Sequence, residues 1–152
     1  MDVAHRKEAK HVAAGYAIYA LMYIALAMIL LSASGGFHNL DIIGGTLSLI
    51  AGACLLNLLF AVGSWRVLTL SIWKRRLLLG STISVAVVLV VSNLLGLWRW
   101  YHGTLPTDIG PPAVMGGTLV ALGYVFLAYS LIRIVVTSNT SFNPDVPKRR
   151  AG

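Results

Sequence analysis

Four long runs of the chain contain no charged residue, and this feature constrains the fold more than any other. The runs cover residues 12–33, 42–65, 77–98 and 109–132 and contain 22, 24, 22 and 24 residues. A transmembrane helix needs roughly 20 apolar residues to cross about 30 Å of hydrocarbon. Pro112 suits the first turn of a helix, so it marks the start of the fourth one. We therefore predict transmembrane helices near residues 12–33, 42–65, 77–98 and 112–136.

The composition leads to the same class of protein. Hydrophobic residues make up 57% of the 152-residue chain and charged residues only 11%, against about 25% charged in a soluble domain. This excludes a disordered protein, a disulfide-rich secreted module and an ordinary cytosolic enzyme. The connections between the runs contain 8, 11 and 10 residues, which is too few for a separate soluble domain. We predict one domain over residues 1–152, an all-α integral membrane protein whose four helices form one antiparallel bundle.

The basic residues predict the orientation in the membrane. Four crossings would place ten of them on one side: Arg6, Lys7, Lys10, Arg66, Lys74, Arg75, Arg76, Lys148, Arg149 and Arg150. Only Arg99 lies on the other side, while Arg133 lies late in the fourth helix and is expected to extend its charged end to the inner surface. Because cytoplasmic loops are enriched in Lys and Arg, both termini are predicted to be cytoplasmic. We expect a multi-pass protein of a prokaryotic-type cytoplasmic membrane.

This placement also explains the net charge of +7. In a soluble protein such an excess would suggest a nucleic-acid partner, but no recognition module fits in these short basic segments. The expected partners are membrane lipid and other membrane-protein subunits, or further copies of this chain. No nucleic acid is expected.

Two amides lie inside the apolar runs, where polar groups indicate either packing or function. Matching the depths of antiparallel helices pairs Asn57 with Ser84 and Asn93 with Ser48. Ser48 and Asn57 are nine residues apart, which places them on opposite sides of a helix with 3.6 residues per turn. Only one of the two pairs therefore fits between the second and third helices. The functional alternative is a polar pathway or a ligand contact, and the ordinary one is interhelical hydrogen bonding.

Small residues favour the second pair. Gly44, Ser48 and Gly52 repeat every four residues on one face of the second helix, and small residues allow helix backbones to approach closely in a membrane. We define these three residues as the α2 stripe. It predicts a close approach of the third helix, with Ser48 near Asn93.

Tyrosines form a second pattern. Tyr16, Tyr19 and Tyr23 lie on one face of the first helix, and Tyr124 lies near the midpoint of the fourth. A buried phenol needs a hydrogen-bond partner, so the deep tyrosines are expected to face protein. A cofactor such as a quinone, carotenoid or porphyrin, or a lipid, is the alternative contact for this face. No motif implies a particular cofactor.

Metal chemistry has only four candidate ligands. His38, Asp41, His102 and Asp108 lie at the outer ends of the predicted helices and could meet in principle. Their spacing matches no metal-binding motif, and loop histidines are usually solvated. We predict that these residues do not hold a metal.

The functional hypothesis depends on the reactive residues that the four runs lack. No Asp, Glu or Lys lies inside the four runs, and Cys54 has no second cysteine to pair with. The leading hypothesis is a non-catalytic structural or accessory subunit of a larger membrane complex or homo-oligomer. The first alternative is a small transporter or channel with a polar path through helices two and three. The second is a cofactor-binding electron-transfer or enzyme subunit.

Overall fold

The computed structural model describes residues 3–33, 40–104 and 110–140, and it describes only the backbone of 40–43, 110–113 and 139–140. Four helices form the described part: α1 (Val3–Ala33), α2 (Leu40–Trp65), α3 (Ile72–Tyr101) and α4 (Gly110–Thr140). Each contains a segment long and apolar enough to cross a membrane. The prediction of four apolar helices is confirmed, and these four spans indicate a multi-pass membrane protein.

Two helices begin five or more residues earlier than the apolar runs predict. α1 starts at Val3 rather than at residue 12, so the basic residues Arg6, Lys7 and Lys10 belong to the helix and not to an extended tail. α3 starts at Ile72 rather than at residue 77. Charge marks where hydrocarbon ends, but Ala, Lys, Arg and Glu are good helix formers and prolong a helix beyond that point.

The connection between α2 and α3 is a compact turn. The Arg75 side chain reaches back over it and donates hydrogen bonds to the carbonyl oxygens of Leu68 at 2.7 Å and Leu70 at 3.0 Å. Val67 in the middle of the turn is fully buried. Arg75 thereby donates to two backbone carbonyl oxygens that lie outside the helices and would otherwise need another partner.

The helices do not pack in the pattern that the α2 stripe predicts. α1 packs mainly on α2, α3 packs mainly on α4, and α1 also contacts α4. α2 and α3 contact each other least among these pairs. The prediction of a close α2–α3 approach is therefore wrong for the described residues. The core lies elsewhere, among buried side chains that all four helices supply.

Candidate functional site: a buried tyrosine–asparagine centre

The four helices meet at one group of buried side chains, which we name the tyrosine–asparagine centre. It consists of Tyr16 from α1, Asn57 and Phe60 from α2, Thr82 from α3 and Tyr124 from α4, each at most 3% exposed. In sequence these residues are dispersed over more than a hundred positions. Only the fold brings them together, so this is where a function of the membrane interior would be sought first.

Aromatic contacts hold three of the helices at the centre. The Tyr16 ring lies 5.3 Å from Phe60 and 5.9 Å from Tyr124 between ring centroids, at edge-to-face angles of 62° and 68°. Tyr19 adds a tilted contact with Tyr124 at 4.6 Å. Rings attract in these orientations because the positive edge of one meets the negative face of another. The contacts therefore join α1 to both α2 and α4.

A hydrogen bond between side chains joins α2 to α4. The Tyr124 hydroxyl donates to Oδ1 of Asn57, and Nδ2 of Asn57 donates to the Ala53 carbonyl oxygen of its own helix at 2.8 Å. The alternative pairing of Asn57 with Ser84 is not made, because the exposed Ser84 hydroxyl donates to Gly80 on its own helix at 2.8 Å. A serine side chain is short enough to bond within its own helix turn, whereas a tyrosine ring spans the gap between two helices.

Two buried hydroxyls near the centre have hydrogen-bonding capacity to spare. The Tyr16 and Ser64 hydroxyl oxygens are buried and have no hydrogen-bond partner among the described residues. Thr82, which is also fully buried, donates its hydroxyl proton to the Leu79 carbonyl oxygen at 3.0 Å. Buried polar groups usually have hydrogen-bond partners. These two hydroxyls therefore differ from the side chains of Tyr124 and Asn57, which bond to each other.

Asn93 lies in a different interface from the one predicted. Its Nδ2 donates to the Val114 carbonyl oxygen at 3.5 Å, and its Oδ1 accepts from Thr118 at 3.2 Å. A Cβ atom at Gly117 would lie 2.6 Å from Asn93 Nδ2, so a larger residue there would displace this amide. The predicted pair of Ser48 and Asn93 is therefore wrong. Asn93 bonds across the α3–α4 interface because α4, not α2, is the main neighbour of α3.

The α2 stripe has no close neighbour in the described part of the chain. Cβ atoms at Gly44 and Gly52 would meet nothing within 4 Å. Ser48 is exposed, and its hydroxyl donates to the Gly44 carbonyl oxygen at 2.8 Å. The stripe thus lies on the outer surface of the bundle with its one polar side chain already bonded.

The four tyrosines of the sequence pattern have different surroundings. Tyr16 and Tyr124 are enclosed by protein, so the contact with lipid that was an alternative for them is not made. Tyr19 is half-buried, and its hydroxyl donates to the Val120 carbonyl oxygen at 3.2 Å. Tyr23 is also half-buried. Of these side chains, Tyr19 borders a groove between α1 and α4.

Sequence reasoning missed the glycine that makes this arrangement fit. A Cβ atom at Gly123 would collide with the Tyr19 hydroxyl, so the α1–α4 contact requires glycine there. Phe60 and Thr82 were missed as well, because single apolar or hydroxyl residues in an apolar run carry no distinguishing signal. The i, i+3, i+7 spacing of Asn57, Phe60 and Ser64 was the available sign of a buried face.

Of the four candidate metal ligands, the structure describes the side chain of His102 alone. His102 is exposed, with Nδ1 2.8 Å from the Trp98 carbonyl oxygen and its ring 4.4 Å from the Trp98 ring. His38 and Asp108 lie outside the described residues, and the side chain of Asp41 does as well. The residues that the structure describes contain no group of three or more His, Cys, Asp or Glu suited to a metal ion.

Comparison with known proteins does not assign this chain to a family. No family model, curated protein or solved structure was found to match it.

Proposed function

We propose that this protein is a non-catalytic helical subunit of a larger membrane complex or of a homo-oligomer, and that the α2 stripe is its packing surface. One observation carries the proposal. The deep amides bond within the chain's own bundle, whereas Gly44 and Gly52 have space for a neighbouring backbone that none of the described helices fills.

The chemistry of the stripe suits a helix from another chain. Lipid tails are as apolar as leucine, so transmembrane helices associate through close packing and hydrogen bonds rather than through hydrophobicity. Small residues are enriched at such interfaces because they let two backbones approach. Ser48 already bonds to Gly44, so packing a helix here would leave no hydroxyl without a partner.

The topology that accompanies this proposal is an antiparallel bundle with both termini in the cytoplasm. Gly15 of α1 lies opposite Leu127 of α4, and Tyr19 lies opposite Gly123 and Val120. Later positions of α1 thus meet earlier positions of α4, which supports opposite directions for these two helices. The distribution of basic residues supports the cytoplasmic placement of the termini.

The contacts favour packing over transport. A small transporter with a polar path through helices two and three would need its amides to line a space between α2 and α3. Asn57 and Asn93 instead both bond to residues of α4. The cofactor-binding alternative is limited to Tyr19 and Tyr23, because Tyr16 and Tyr124 are enclosed by protein.

Replacing Gly52 by Leu tests the proposal. In the complex, the new side chain would overpack the contact at a cost of about 1–3 kcal/mol, which corresponds to roughly 5- to 150-fold weaker association. The tagged full-length chain is extracted from its own membrane in mild detergent, and the assembled fraction is measured by native mass spectrometry. Thermal stability of the separated chain should stay unchanged.

Gly80→Leu is the matched control, because a Cβ atom there also meets nothing within 4 Å but the residue lies on α3. It should leave assembly intact. A wild-type chain that is monomeric and free of other subunits, or equal assembly of Gly52→Leu and wild type, would refute the proposal.

A further inference from the structure

Two adjoining hollows run along the seam between α1 and α4, and we name them together the α1–α4 groove. The first has a volume of about 330 Å³, which is within the range of roughly 300–1,000 Å³ that small-molecule sites occupy. The second has a volume of about 240 Å³. They share Phe126 and Leu127 in their walls, so the two hollows adjoin on the surface of the bundle.

The first hollow is lined almost entirely by hydrocarbon. Ile18 and Met22 of α1 face Leu119 and Phe126 of α4 across it, and all four side chains are exposed along its rim. Gly15 and Gly123 also line this part of the seam. An elongated apolar slot of this kind suits an acyl chain lying along the helices.

The second hollow has a different chemistry. Five polar side chains line it: Glu8 and His11 of α1, and Tyr129, Ser130 and Arg133 of α4. It lies at the end of the groove nearest the N-terminus of α1 and the C-terminal half of α4. Polar side chains are therefore concentrated at one end of the groove, as the headgroup lies at one end of a phospholipid.

The two fixed charges of the polar end indicate which headgroup fits. An arginine guanidinium presents several N–H donors in a planar fork and binds phosphate oxygens in pairs, so Arg133 suits a phosphodiester. Glu8 carries a negative charge in the same hollow. It would attract a primary ammonium and repel a headgroup whose only charge is negative.

We propose that the α1–α4 groove binds a zwitterionic phospholipid with a primary ammonium, of the phosphatidylethanolamine type. One acyl chain lies against Ile18, Met22 and Leu119, the phosphate contacts Arg133, and the ammonium contacts Glu8. This site is on a different face from the α2 stripe and does not depend on the proposed subunit function.

Lipid retention by the full-length chain tests the proposal. The protein is equilibrated in bilayer nanodiscs containing equal amounts of phosphatidylethanolamine and phosphatidylglycerol with the same acyl chains, extracted in mild detergent and examined by native mass spectrometry. Wild type should retain phosphatidylethanolamine in preference to phosphatidylglycerol. Arg133→Gln should reduce the retained lipid about tenfold, as expected for the loss of a charge-assisted hydrogen bond.

Control substitutions separate the groove from a general loss of charge or fold. Arg66→Gln removes an exposed positive charge from the α2–α3 turn and should leave retention unchanged. Glu8→Gln should keep the bound lipid but remove the preference for the ammonium headgroup. Met22→Trp should fill the apolar slot and lower retention, whereas Met28→Trp changes an exposed methionine of the same helix outside the groove and should not.

Three results would overturn the proposal. The first is a wild-type preference for phosphatidylglycerol, or no preference at all. The second is equal retention by Arg133→Gln and wild type. The third is displacement of the lipid by millimolar inorganic phosphate, which would mean that the polar hollow binds free phosphate without regard to the acyl chain.

Discussion

The tyrosine–asparagine centre and the α2 stripe both contain residues whose sequence pattern predicts helix packing. In the structure, however, the two regions have opposite surroundings. The centre is buried where α1, α2, α3 and α4 meet. The stripe lies on the outer surface, with nothing from the described helices within 4 Å of a Cβ atom at Gly44 or Gly52. The buried side chains of the centre therefore hold this bundle together, while the small residues of the α2 stripe leave one of its surfaces open to a backbone from another chain.

The geometry of α2 explains the difference. Asn57, Phe60 and Ser64 share one face, and Ser48 lies about half a turn away from them. Once Asn57 bonds to Tyr124 and Phe60 packs on Tyr16, the stripe has to face outward. The contacts that bury one face of α2 therefore leave the opposite face exposed and available to another chain.

The largest expected effect comes from removing a ring of the centre. Phe60→Ala should lower the free energy of unfolding by about 3–5 kcal/mol, because it removes buried contacts and leaves a cavity among four helices. Phe126→Ala is the matched control, since Phe126 is 69% exposed and should change stability far less. The measurement is denaturant unfolding in detergent micelles. Equal effects of both changes would mean that the centre does not hold the bundle together.

The sequence was sufficient to predict the helices but not their partners. Apolar length alone located four spans, because hydrocarbon thickness sets the length of a transmembrane helix. The pairing failed at Ser48 and Asn93, since matching depth says how far along a helix a residue lies and not which neighbour it faces. That choice depends on the combined packing of Tyr16, Phe60 and Tyr124, which are far apart in the chain.

The residues of the tyrosine–asparagine centre could likewise be predicted only in part. Asn57, Tyr16 and Tyr124 stood out because polar groups inside apolar runs are uncommon. Gly123 did not, because its importance lies in the position of the Tyr19 hydroxyl on another helix. A glycine in an apolar helix looks the same in sequence whether a ring, a backbone or nothing lies opposite it.

Two glycine substitutions with effects of intermediate size compare the bundle interior with the α2 stripe. Gly123→Ala should cost about 1–3 kcal/mol as an overpacked contact, because the new Cβ atom displaces the Tyr19 ring and its hydrogen bond to Val120. Gly52→Ala adds the same methyl group where nothing lies within 4 Å, so its effect on the isolated chain should be within about 0.5 kcal/mol. Unfolding of both variants in micelles measures the difference. A large loss at Gly52 would show that the stripe packs within its own bundle.

The smallest expected effect separates two tyrosines of the same centre. Tyr124→Phe removes the donor to Asn57 and should cost about 0.6 kcal/mol, the mean value for side-chain hydrogen bonds inside a membrane protein. Tyr16→Phe keeps the ring contacts with Phe60 and Tyr124 and removes a buried hydroxyl that has no hydrogen-bond partner among the described residues. It should therefore be neutral or stabilising. Unfolding of the two variants under identical micelle conditions gives the comparison. A loss at Tyr16 as large as that at Tyr124 would show that its hydroxyl is bonded after all, and the centre would then be a fully paired network.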